Sequence, residues 1–532
     1  MMMQSGTMNE KKENLGRTGN ARRNIYYGLM QVVVSQLLPF IVRTILIDRF
    51  GVAYLGLNSL FSSVLSVLSL MELGFGTAVV YSLYKPVAEG NTQQVCAYLS
   101  CYRKIYRIIG LAILAAGLLL MPFLKSLIRD PVLPGNLNLY TCYLIFLSDT
   151  VISYLLFGYL TAIPTAYQRR DILSKVDMGM SVLQCMVRSM LLLYSSNFYF
   201  YLISIPLMTI LRNLVIARIV RERYPELKCA GQLEENQKKD LKKRVHGLVI
   251  EKITAASRNS IDTLCISAFI GLAVCGLYNN YFYIMTGMIA FSTTGLNSIM
   301  ASVGNSIALE SREKNYKDMR LFDFIYTAVA GWTAVCMLCL YQPFIRVWLG
   351  PDMMLETPVI LGLCAYFYIL KSGDIRWVYH EGAGLWYESR LIMLGEAAVN
   401  VMLNILLCKV LGVSGIVLAT VISVFMTNAV FCPKLLFSQY FRNGKLKEYW
   451  KDHIGYSGTM LITAGLSWMV CEYVLPMGLV DRGAMQAVLC LVGRLTVCSA
   501  LAVAVFWLFW HRSERYTGAA VWLKRISRTQ SR

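Results

Sequence analysis

Runs of about 20 apolar residues recur along nearly the whole chain, each long enough to cross a hydrocarbon core of roughly 30 Å as a helix. Within lipid no water is present to satisfy the backbone, so such runs fold as transmembrane helices. Fourteen of them lie near 25–47, 55–81, 107–124, 139–163, 178–195, 197–217, 246–270, 276–300, 323–345, 357–379, 391–408, 413–432, 455–476 and 485–510. Only 15% of the residues are charged, against roughly 25% in soluble domains. The expected class is an all-α polytopic membrane protein.

The formal net charge of +20 would suggest a nucleic-acid partner if the 51 Lys and Arg were spread evenly. They are not. If residues 1–24 are cytoplasmic, the segments on their side of the membrane hold 38 of these cations and the opposite side holds six. This is the positive-inside asymmetry, which predicts both termini in the cytoplasm and excludes nucleic acid as the reason for the charge. The four histidines, His246, His380, His453 and His511, are dispersed, and no metal-protease or phosphate-cradling motif occurs. The fifteen cysteines are scattered through apolar segments, where a small buried hydrophobe is the expected role. The "CMLC" at 336–339 lies mid-helix with no electropositive neighbour in sequence, so no redox or metal site is expected there.

Shifting the chain by 220 residues aligns "FGVAYLGL" (50–57) with "IGLAVCGL" (270–277), and also matches Tyr167 to Tyr387, Arg170 to Arg390 and Ile172 to Ile392. Six spans fit one repeat. An even number returns the chain to its starting side, so two parallel six-helix halves are expected, followed by two extra C-terminal helices. The predicted organisation is an arm at 1–24, the first half at 25–217, a basic linker at 218–245, the second half at 246–437, the added helices at 438–510 and a basic tail at 511–532. Two rocking halves suit alternating access to a site between them. A polytopic polymerase would need a sizeable external loop, and the longest here, near 125–138 and 346–356, run to about a dozen residues.

Charges inside the spans are the candidate site residues, because a central Arg or Asp costs at least roughly 2.5–3.5 kcal/mol unless it meets a cavity or a partner. Arg258 and Asp262 stand four apart on one helix face, either as a self-neutralising pair or with Arg258 meeting a substrate anion. Arg258 could also snorkel to the interface. Arg43 faces the same choice between snorkelling beside Asp48 and Arg49 and binding substrate. Arg188 and Arg376 could add to a cationic lining, with a local Asp374–Arg376 pair as the alternative. Glu72 in "SLMELGFGTAV" is a lone carboxylate among glycines, suited to proton coupling or to a hydrogen-bonded structural role. Tyr278 and "YFYI" (281–284) could stack on sugar rings or belong to interfacial aromatic belts.

Four blocks, "LGLNSLFSSVLSVLSLMELGFGTAVVYSLYKPVAEGN" (55–91), "RNSIDTLCISAFIGLAVCGLYNNY" (258–281), "SVGNSIALESREK" (302–314) and "PFIRVWLG" (343–350), resemble in order the signature blocks of bacterial polysaccharide flippases. These belong to the multidrug/oligosaccharidyl-lipid/polysaccharide exporter (MOP) superfamily, and the resemblance covers about residues 22 to 440. Ile261 departs from the Thr common before the aspartate in that family. The resemblance implies a V-shaped helical transporter, not an enzyme, that moves an undecaprenyl-pyrophosphate-linked oligosaccharide across the bacterial cytoplasmic membrane. Capsule, O-antigen or exopolysaccharide assembly would be its setting, with membrane lipids and polysaccharide assembly machinery as partners. A drug exporter of the same superfamily and a peptidoglycan-precursor flippase are the alternatives. On this reading Arg43, Arg188, Arg258 and Arg376 bind substrate, Glu72 and Asp262 carry coupling to H+ or Na+, and no cofactor or metal site is expected.

Overall fold

Span boundaries are set by short polar caps that take up the free amides at a helix start. Asn91, Asn138 and Asn197 accept from the backbone N–H groups of Gln94 (3.0 Å), Thr141 (3.1 Å) and Tyr199 (2.9 Å), and Ser311 does so for Lys314 at 3.3 Å. The computed structural model describes residues 17–530 apart from 73, 130–132, 135–136, 240, 242–253 and 255–256. Among the described residues there is no strand.

The predicted spans fall on helices, except that the first part of the seventh lies outside the described residues. Nine helices are long and apolar enough to cross a membrane among the described residues, and a tenth span forms if Leu139–Leu155 and Gly158–Ala166, bent by 56°, count as one. The shortfall from fourteen has physical causes. The eleventh and twelfth spans run on within the 56 residues Trp386–Phe441, broken at Gly412, whose φ of 58° and ψ of −134° interrupt the helix. The second is cut into Val52–Leu68, a 3-10 turn at Ser69–Glu72, and Phe75–Ala88.

The chain divides into two compact units, Met1–Ala256 with Gly271–Ala273, and Ser257–Ile270 with Val274–Arg532. In the first unit, helix Arg17–Phe50 packs along Arg170–Tyr194, and Leu139–Leu155 packs on Phe198–Arg223 and Thr92–Leu120. Phe61 meets Tyr143 and Phe146 in its core. Helices in lipid gain little from apolar burial and rely on close approach over small residues. Gly117 permits this, since a Cβ there would stand 2.5 Å from a Leu147 methyl. In the second unit, Arg312–Leu349 is the central helix, against which Thr357–Ser372, Leu446–Val474 and Ala484–Trp510 pack.

Candidate functional site

Two membrane-embedded carboxylates stand where a span departs from α-helical geometry. Glu72 closes the 3-10 turn of the second span, and Gly74, at φ 77° and ψ 12°, takes the left-handed conformation that restarts the helix. Glu72 accepts from the Tyr106 hydroxyl at 3.0 Å and the Tyr154 hydroxyl at 3.4 Å. Tyr106 is wedged edge-on between Tyr102 and Tyr154. A Cβ at Gly76 would lie 2.8 Å from Glu72 Oε1, so the bare glycine lets the carboxylate lie against the helix backbone.

Asp262 follows a π turn at Ser257–Ile261, a departure frequent at functional sites. It is only 2% exposed. Asn404 Nδ2 donates to Oδ1 at 2.9 Å, Tyr278 donates to Oδ2 at 3.2 Å, and Thr420 Oγ1 lies 3.1 Å from both oxygens. Asn400 extends the cluster, donating to Thr420 at 3.0 Å and Ser423 at 3.3 Å and accepting from Asn404 at 3.3 Å. Asn404 Oδ1 is buried and finds no hydrogen-bond partner among the described residues. All these partners are neutral, so among the described residues the carboxylate charge is met by dipoles. Such a set of oxygens suits a hard cation, and the carboxylate suits a proton.

The pairing of Arg258 with Asp262, one of the sequence alternatives, is not formed. Arg258 Nη1 instead donates to Glu396 Oε1 at 2.9 Å. Nor does Arg376 pair with Asp374, whose carboxylate is taken by Lys371. Arg376 reaches the Tyr449 hydroxyl, His453 Nε2 at 2.9 Å and Asp323 at 4.0 Å. His453 is in turn 2.6 Å from Asp323. Arg43 is half-buried on the first span and engaged with its surroundings.

Arg188 is placed differently. It lines a pocket of about 390 Å³ within the first unit, with Asn58, Ser62, Ser66 and Ser69 from the second span, Asp149 and Thr150 from the fourth, and Tyr201 from the sixth. Arg188 Nε, Asp149 Oδ1 and Asn58 Oδ1 are buried without a hydrogen-bond partner among the described residues. Convergent unsatisfied polar groups of this kind ask for water or for a hydrogen-bonding ligand.

Glu396, Asn400 and Asn404 carry much of the geometry around Asp262 and Arg258 and were not among the sequence candidates. Their signal was available: three polar residues at steps of four in "EAAVNVMLN" form a stripe on one helix face inside an apolar run.

No family model and no curated protein matches the chain. Among solved structures, it resembles the lipid II flippase MurJ in an inward closed conformation, with a TM-score of 0.65 at 13% identity over 92% of this chain and 99% of that one. It also resembles an inward-facing multidrug resistance MATE family transporter of the MOP superfamily, with a TM-score of 0.61 at 12% identity over 78% and 99% of the two chains. A MOP superfamily transporter from Pyrococcus furiosus aligns with a TM-score of 0.54 at 12% identity over 80% and 96%. The chain therefore has the all-helical fold of the MOP transporters, as a multi-pass membrane protein.

Proposed function

We propose that this protein is a flippase for an undecaprenyl-pyrophosphate-linked oligosaccharide, working by alternating access in the bacterial cytoplasmic membrane with both termini in the cytoplasm. The observation that carries the reading is the reach of the likeness to the lipid II flippase. At 92% of the chain, the part it leaves out is shorter than helices Leu446–Val474 and Ala484–Trp510 together. The alignment to the multidrug transporter stops at 78%. A lipid II flippase thus matches this chain beyond twelve spans.

In this proposal Glu72 and Asp262 take up the coupling ion, and Arg43 and Arg188 meet the anionic or hydroxyl-rich parts of the substrate. Arg258 and Arg376 serve it less directly, because each already holds a carboxylate or phenol. The multidrug exporters share the fold, so transport itself has to discriminate. The purified protein in liposomes should move a fluorescent polyprenyl-pyrophosphate oligosaccharide between leaflets when an H+ or Na+ gradient is imposed. Export of small cationic dyes with no movement of the lipid-linked probe would replace this function with drug export. Orientation has its own test, cysteine labelling in intact cells with interfering native cysteines removed. External labelling at 230–240 would reverse the topology.

A further inference from the structure

Three cysteines remote in sequence meet inside the second unit. The thiol sulfurs of Cys339, Cys471 and Cys498, one each from helices Arg312–Leu349, Leu446–Val474 and Ala484–Trp510, all lie within 4.8 Å of one another, and all three residues are buried. Cys336, one turn before Cys339, belongs to the same buried cluster. We propose that these thiols bind a soft d10 metal ion, Zn(II) or Cu(I), which clips the two C-terminal helices onto Arg312–Leu349.

The first argument is how these thiols differ from the four cysteines that hydrogen-bond to the backbone. Cys96, Cys185, Cys275 and Cys490 donate to backbone carbonyls, at 3.8, 3.7, 3.8 and 3.8 Å. Cys339, Cys471 and Cys498 make no such bond among the described residues and turn toward one another. The second argument is distance. A metal–sulfur bond of about 2.3 Å with tetrahedral angles sets sulfurs roughly 3.8 Å apart, so the observed triangle needs to close by no more than about 1 Å.

Charge is the third argument. Binding breaks three S–H bonds, sends the three protons to solvent and forms three metal–sulfur bonds, leaving a net charge of −1 with Zn(II) and −2 with Cu(I). That charge would be costly in a dry interior without a cation nearby. The structure supplies the electropositive neighbour that the sequence around "CMLC" lacks. Arg494, 1% exposed, donates to the Cys339 carbonyl oxygen at 2.9 Å and lies one turn before Cys498. It is also ion-paired with Glu472 at 2.9 Å and bonded to the Leu475 carbonyl oxygen at 3.0 and 2.8 Å; Glu472 is partly exposed, so water screens that countercharge more than it screens the buried guanidinium beside the thiols. Thiolate donors favour soft ions over Mg2+ or Ca2+.

The test uses the full-length protein in detergent, titrated separately with Zn2+ and with Cu(I) under reducing conditions. Expected are about one equivalent of bound metal, a rise in melting temperature, and protection of Cys339, Cys471 and Cys498, but not Cys265 or Cys364, from alkylation on brief unfolding, mapped by mass spectrometry. Mg2+ should protect none. The triple Cys→Ala variant should lose the bound equivalent and the stabilisation, while Cys265→Ala keeps both. Protection mapping needs no variant, so a triple variant that fails to fold leaves the proposal testable. Equal protection of all fifteen cysteines, no protection, or disulfide-linked peptides from these positions in the isolated protein would overturn it.

Discussion

Glu72 and Asp262 are both carboxylates at a break in a membrane helix, yet their surroundings differ in kind. Glu72 is half-buried and rests on two tyrosine hydroxyls, with a pocket lined by Ser69 one turn away. Asp262 is sealed among Asn404, Thr420 and Tyr278, with no ionic partner among the described residues. A buried charge facing only neutral dipoles costs several kcal/mol unless a proton or a cation neutralises it. The dry site therefore has to bind something to hold its charge, whereas Glu72 lies close to a polar pocket that can hold water. Nearby cations do not erase the contrast, because Arg258, one turn before Asp262, is committed to Glu396.

The sharpest way to break this comparison is Asp262→Asn. It keeps the size and most of the hydrogen bonds while removing the one charge that the described residues of that cluster offer a coupling ion. Gradient-driven transport should fall on the order of 100-fold, about 2.7 kcal/mol, with the protein still folded at normal abundance. Transport above half of the unsubstituted rate would make Asp262 a structural residue and remove the contrast. Arg258→Ala acts on stability instead. Stranding Glu396 in a buried position should cost about 3–5 kcal/mol of stability, visible as reduced membrane abundance and a lower melting temperature. Adding Glu396→Gln should restore most of that loss, whereas adding Asp262→Ala should not. The opposite pattern of rescue would return Arg258 to Asp262.

That exchange of partners marks where the sequence stops being legible. The spans are readable because the physics is local: twenty apolar residues can do little else in lipid. The helix breaks are less readable, since glycine is tolerated within membrane helices, and nothing in "MELGFG" or "KVLGVSG" announces that Gly74 and Gly412 leave the helix while Gly76 does not. Pairing is least readable. Arg258 and Asp262 look like partners at spacing four, but Glu396, 138 residues away, takes the arginine. The cysteine triangle has no readable spacing at all, because Cys339 lies 132 residues before Cys471 and Cys498 follows 27 residues later on another helix. What sequence does preserve across such distances is the polar stripe, and Glu396, Asn400 and Asn404 would have been found by asking which polar residues recur at steps of four in an apolar run.

Glu72→Gln probes the other carboxylate. If Glu72 carries a coupling proton, the change should lower gradient-driven transport by roughly tenfold, about 1.4 kcal/mol, while ungated exchange of substrate persists. The expected effect is smaller than at Asp262, because a half-buried carboxylate is partly hydrated and its charge has weaker leverage on the protein. A fall as large as that of Asp262→Asn would show that exposure does not rank the two sites.

The smallest effect is expected from Tyr106→Phe, which deletes the 3.0 Å hydrogen bond to Glu72 and leaves the ring packed between Tyr102 and Tyr154. A hydrogen bond to a charged acceptor contributes about 1.5–3 kcal/mol when fully formed and buried, and partial hydration of Glu72 lets water replace much of it. Stability should therefore change by less than about 1 kcal/mol. The informative readout is gradient-driven transport at one fixed pH. Losing the donor that positions the carboxylate should lower it by less than Glu72→Gln does. In a Glu72→Gln background the same Tyr106→Phe change should alter transport no further. A loss that survives removal of the carboxylate would assign the effect of Tyr106 to its packing between Tyr102 and Tyr154.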